Sequence, residues 1–132
     1  MFRELFEQQL KVVMTVPAGA AIFREGDRGA VMFGVISGEV DLYIDNVVLE
    51  IVGPGMVFGE MALIDDDVRS ASASARTDCR LVQIDLAAFD DLIVTNPGFA
   101  RQLMKIMAGR LRRMNLRVMD RSGPAFYSAE QR

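Results

Sequence analysis

The chain has 132 residues, 51% apolar and 25% charged, with a net charge of −3: a length that suits one domain, and a balance that excludes a chain built as a whole to coat nucleic acid. It holds no histidine and one cysteine, Cys79, which argues against Ser/His/Asp and Cys/His catalysis, the usual zinc and iron sites, and any internal disulfide. No apolar run approaches the roughly 18 residues of a membrane span, and Glu4 and Glu7 interrupt any export signal, so a cytoplasmic protein without a catalytic group or a metal is expected.

Phe2, Leu5, Phe6 and Leu10 recur at helical spacing, so residues 1–10 read as a short amphipathic helix that docks on the domain. From Lys11 the period changes. Val12–Val16, Ile22-Phe23, Val31–Ile36, Val40–Ile44 and Val47–Ile51 are β-prone runs. Pro17-Ala18-Gly19, Glu25–Gly29, Ser37-Gly38-Glu39, Asp45-Asn46 and Gly53-Pro54-Gly55 break them. Short strands with Gly, Pro or Asn at each break indicate an antiparallel sandwich or barrel. After a central loop, Ala71–Ala75 alternates Ala and Ser, which suits either a strand beneath a ligand or a crowded barrel corner. Arg80–Ile84 is the last clear strand, Asp85 caps a helix over Leu86–Val94, and Asn96-Pro97 breaks the chain before a long helix. On that helix Met104, Met107, Leu111, Met114 and Val118 form a heptad-like seam, opposite Arg101, Lys105, Arg112, Arg113 and Arg117. The seam either packs on the helix's own domain or pairs with its twin, and a homodimer is the favoured expectation. The basic face reads as solvated rather than as a nucleic-acid surface. Residues 121–132 read as a loose polar tail.

The central loop, Phe58 to Ala71, carries the chemistry. A turn opening at Gly59 can aim several backbone N–H groups at one spot, since a helix's first N–H groups lack intrahelical partners, and such a spot attracts phosphate. Arg69 adds a planar, permanently charged fork suited to two phosphate oxygens. Glu60 is wrong for phosphate but right for accepting from a sugar hydroxyl. Plainer roles exist for both: Arg69 as a surface residue paired with Asp65, Asp66 or Asp67, and Glu60 as a helix-start carboxylate. Their spacing within one motif points instead to a nucleotide.

Five blocks in order carry a resemblance: Pro17-Ala18-Gly19, Ile22–Asp27, Val35–Val40, Gly53-Pro54-Gly55, and Phe58–Leu63 with Arg69-Ser70-Ala71. Together they resemble the cyclic nucleotide-binding domains of bacterial cAMP receptor proteins, protein kinase A regulatory subunits and cyclic-nucleotide-gated channels, over roughly residues 11–119. The resemblance implies a mainly β fold with flanking helices: an antiparallel jelly-roll barrel with a short N-terminal helix, a short helix in the phosphate-binding loop and a long C-terminal helix. The implied domain spans 1–120, with the β-roll at 11–85 and the C-terminal helices at 86–120.

The family's site, carried over, makes Arg69 the phosphate ligand and Glu60 the acceptor from the ribose 2′-hydroxyl. Backbone N–H groups near Gly59, Glu60, Met61, Ala62 and Ala71 complete the cradle, Phe58 leads into it, and Ser70 donates to the phosphate. Met107-Ala108-Gly109-Arg110-Leu111 resembles the approach to the base cap, leaving Met114 and Asn115 at the base-facing positions, with Arg110 counted among the ligand-binding residues. The family often has Pro where this chain has Val68, and Asp65–Asp67 set three negative charges beside an anion site. The implied role is a stand-alone regulatory sensor for cyclic AMP, with cyclic GMP as the alternative ligand. It would not be an enzyme and would bind neither DNA nor membrane directly; its effector protein is unidentified. A second reading is a dimerisation or partner module of the same shape that has lost the nucleotide. A cupin-type enzyme would need clustered histidines, and there are none.

Overall fold

The computed structural model describes residues 4–6, 12–64 and 68–122, the last nine of these by backbone alone. The rest of residues 1–11, expected from the sequence to be mostly helical, the Asp65–Asp67 run and the tail beyond 122 lie outside the described residues. Eight strands and three helices are present among the described residues: β1 (Val13–Val16), β2 (Ala21–Phe23), β3 (Met32–Ser37), β4 (Val40–Ile44), β5 (Val47–Val52), β6 (Val57–Phe58), α1 (Glu60–Ile64), β7 (Ser72–Ala75), β8 (Cys79–Ile84), α2 (Leu86–Thr95) and α3 (Pro97–Ser122). Residues 4–6 are also helical.

The strands form two four-stranded antiparallel sheets, ordered β1-β8-β3-β6 and β2-β7-β4-β5. This is the mainly β architecture, with flanking helices, that the strand pattern implies. Their inner faces enclose a core of Val16, Phe33, Val35, Val40, Val52, Phe58, Ala73, Ala75, Cys79 and Leu81. Each large apolar side chain so buried contributes about 1.5–3 kcal/mol. β3 is buried along nearly its whole length, as its unbroken apolar run requires, whereas the edge strand β5 leaves Val47, Val48 and Ile51 exposed.

Local chemistry sets the turns. Asp45 and Asn46 take φ of 50° and 65°, the two positive values of a type I′ loop, and so join β4 to β5 with Ile44 opposite Val47. Asp85 caps α2 by accepting from the Ala88 amide at 2.8 Å. The Phe99 amide donates to the Asn96 carbonyl at 2.8 Å, and Pro97 occupies the first position of α3. Gly34 on β3 leaves room for the ring of Phe6, so the residues described near the N-terminus dock on this sheet.

The chain divides into two compact units, Met1–Val94 and Thr95–Arg132. Both sheets and the central loop belong to the first, and α3 makes up the described part of the second.

Gly38 joins β3 to β4 with φ of 87°, and a Cβ there would overlap the Asp78 carbonyl oxygen. Gly38→Ala should therefore lose about 1–3 kcal/mol in a denaturant melt. Gly53 has open space around it and no positive φ, so Gly53→Ala should stay within about 0.5 kcal/mol of the parent. Equal losses for the two would contradict this account of the turn.

Candidate functional site

The site grows from the end of β6. Phe58 closes the strand, Gly59 turns the chain with φ of 77°, and α1 begins at Glu60. Across from it, the segment linking β2 to β3 pairs with the approach to β7. Arg28 bridges Val68, the Arg69 amide donates to the Asp27 carbonyl at 2.7 Å, and the Gly26 amide donates to the Arg69 carbonyl at 2.9 Å. Ser72 Oγ accepts from the Glu25 amide at 2.9 Å, tying the same two segments together one step further on. With its backbone held on both sides, Arg69 turns its side chain inward and is only 5% exposed. The reading of Arg69 as a surface residue is thereby set aside.

Inside, the guanidinium is held by carbonyls and rings. Nη1 donates to the Gly59 carbonyl at 2.9 Å and Nη2 to the Val31 carbonyl at 2.8 Å. Its central carbon lies 4.2 Å from the centre of the Phe23 ring and 5.6 Å from that of Phe33. The positive charge thus rests on an aromatic face, a favourable arrangement where water is scarce. Nε is buried and has no hydrogen-bond partner among the described residues. A buried donor left unpaired is uncommon in native structures. Burial pulls the pKa of Arg69 below its usual value, while the carboxylates of Asp27 and Glu60 oppose that shift. Guanidinium basicity is high enough that the charge persists at neutral pH. Glu60 itself is 7% exposed at the start of α1, so a carboxylate and a guanidinium share one sheltered region.

Of the residues the sequence nominates, Gly59, Glu60 and Arg69 come together here. Ala62 is buried on α1, Met61 is exposed, Ser70 is exposed beside Arg69, and Ala71 is half-buried. The Phe58 side chain is fully buried in the core, stacked on Phe33 at 5.2 Å between centroids. Arg110, Met114 and Asn115 lie on α3 in the second unit; Arg110 is half-buried, and the side chains of the other two lie outside the described residues. Sequence reasoning passed over Phe23, Asp27, Gly29 and the Val31 carbonyl as parts of the site. Glu25–Gly29 reads as an ordinary turn, and what Arg69 leans on emerges only from strand pairing.

The cyclic nucleotide-binding domain model matches residues 13–96, the span that holds both sheets and the central loop. The chain belongs to the cyclic nucleotide-binding domain family. Over 110 residues the domain is 34% identical to a CRP-like cAMP-activated global transcriptional regulator of Mycobacterium tuberculosis, covering 79% of this chain and 49% of the relative. Among solved structures it is similar to the Thermus thermophilus catabolite activator protein, with a TM-score of 0.74 and 34% identity over 87% of this chain and 56% of that one. It is also similar to a protein of a cyclic-GMP-dependent signalling pathway that regulates bacterial phytopathogenesis, with a TM-score of 0.62 and 34% identity over 88% and 90% of the two chains. The domain spans about half the length of the regulator it matches.

Because Arg69 serves two backbone carbonyls, its loss should register even without ligand. Arg69→Lys keeps the charge but cannot present a planar fork to Gly59 and Val31 together. The ligand-free variant should be about 1–3 kcal/mol less stable in urea; an unchanged midpoint would contradict the buried network.

Proposed function

We propose that this domain binds a 3′,5′-cyclic nucleotide as a regulatory signal, cyclic AMP in preference to cyclic GMP, and does no chemistry on it. The observation that carries the reading is the buried Arg69 with an unpartnered Nε, set beside the Gly59 turn and the sheltered carboxylate of Glu60. Arg69 meets the cyclic phosphate, and its charge-assisted hydrogen bonds anchor the ligand. Backbone N–H groups around Gly59–Ala62 and at Ala71 add uncharged donors, and the exposed hydroxyl of Ser70 supplies another. Glu60 accepts from the ribose 2′-hydroxyl, which selects a ribonucleotide. The family pattern nominates Arg110, Met114 and Asn115 as the candidates for the base. The preference for cyclic AMP draws support from the cAMP-activated relative, and cyclic GMP remains the competitor in every titration.

The output is a movement of α3. The boundary between the two units falls next to Asn96-Pro97, which supports a hinge there. A ligand shifts such an equilibrium only by binding one arrangement more tightly than the other. Met104 and Leu111, seven residues apart, are 61% and 60% exposed. One apolar face at that spacing supports pairing of α3 with a second copy in a homodimer, placed in the cytoplasm with an effector protein reading the change.

Calorimetric titration with cyclic AMP tests the site. Arg69→Ala should lose about 2–5 kcal/mol of binding free energy. The parent should bind 2′-deoxy cyclic AMP about 1.5–3 kcal/mol more weakly than cyclic AMP, and Glu60→Ala should erase that difference. Absence of binding by the parent to either cyclic nucleotide at millimolar concentration would sink the reading. For the dimer, Leu111→Glu should shift the sedimentation coefficient to that of a monomer; a parent that already sediments as a monomer would refute the pairing.

A further inference from the structure

Gly29 and Phe23 belong to no part of the ligand contacts described so far, yet both are fitted to the Arg69 guanidinium. Gly29 has no positive φ, so backbone freedom does not explain a glycine there. The space explains it. A Cβ built on Gly29 would overlap the central carbon, Nε and Nη2 of Arg69 at once. On the charged group's other contact, the Phe23 ring lies 4.2 Å from the same carbon and is itself braced by Phe33 and Phe58, at 5.9 and 6.0 Å between ring centres. The carbonyls of Gly59 and Val31 then take one donor each from the terminal nitrogens. A guanidinium has five N–H donors, so this arrangement fixes the plane of the fork and still leaves Nε without a partner among the described residues.

From this geometry we infer that Phe23 and Gly29 are positioning residues for nucleotide binding: the ring is the platform and the glycine the gap that together hold the Arg69 fork in the orientation that presents Nε–H to the phosphate. The inference rests on the cyclic nucleotide reading for its consequence in affinity, but the positioning itself exists in the ligand-free protein. It also divides the aromatic cluster by role. Phe33 and Phe58 are wholly inside the core, whereas half-buried Phe23 meets the charge at closest range.

Two readouts on the full chain test it. In the ligand-free protein the Arg69 Nε–H signal, assigned by its loss in Arg69→Lys, should lie upfield of other arginine ε signals because the group stacks on a ring. Phe23→Leu should move it back toward them, Phe23→Tyr should leave it in place, and Gly29→Ala should displace it. In titrations with cyclic AMP, Phe23→Leu should weaken binding about two- to thirty-fold, the range for losing one cation–π contact. Phe23→Tyr should restore most of that affinity, and Phe23→Leu should cost less in an Arg69→Lys background than in the parent, because the two residues act as one unit. An Arg69 signal that stays put in both Phe23→Leu and Gly29→Ala overturns the inference. So does a parent that binds cyclic AMP with an affinity that Phe23→Leu leaves unchanged. If the parent binds neither cyclic nucleotide, the functional reading fails on its own and the Nε–H signal alone decides the positioning.

Discussion

A guanidinium taken out of water loses hydration worth several kcal/mol, and the surroundings of Arg69 are arranged to offset that loss. Two carbonyls accept from its terminal nitrogens, an aromatic ring lies against its face, and the carboxylates of Asp27 and Glu60 lend opposite charge. None of these partners is adjacent to Arg69 in sequence. Gly59 directly follows β6, Val31 directly precedes β3, and Phe23 belongs to β2. The buried charge can exist only where the strands have paired, and the two sheets exist in part to bring these segments to one place.

The compensation is incomplete in one respect, and that respect is informative. Nε keeps a proton with no acceptor among the described residues, so the site holds a donor in a sheltered place at some expense in folding stability. On the proposed reading, that unmet hydrogen bond goes to the cyclic phosphate, and the turn at Gly59 with the Glu60 carboxylate extends the recognition to the sugar. On the same reading, the first unit, which binds the nucleotide, ends just before Asn96-Pro97, where a long helix that leaves Met104 and Leu111 exposed begins.

Much of this was legible in the sequence because its signals are local. The Asp45-Asn46 loop, the Asp85 cap and the Asn96-Pro97 break each depend on the backbone preferences of one or two residues, and each emerges where the pattern puts it. Gly59, Glu60 and Arg69 were legible as chemistry, since a fork, a carboxylate and a glycine turn in one loop suit a nucleotide. The two-residue strand β6 was less so, because its pairing with β3 is a tertiary matter. The platform under Arg69 was not legible at all: Phe23 reads as a strand end and Gly29 as a turn. Their significance depends on a contact across some forty residues of chain that only the fold creates. Phe58 shows the converse, a motif residue whose side chain belongs to the core.

The most direct test is a crystal structure of the full chain grown with cyclic AMP. The account predicts the cyclic phosphate within hydrogen-bond distance of Arg69 Nε and the ribose 2′-hydroxyl on the Glu60 carboxylate. A nucleotide bound elsewhere, or a structure at saturating cyclic AMP in which Arg69 still touches only Gly59, Val31 and the aromatic rings, would contradict it.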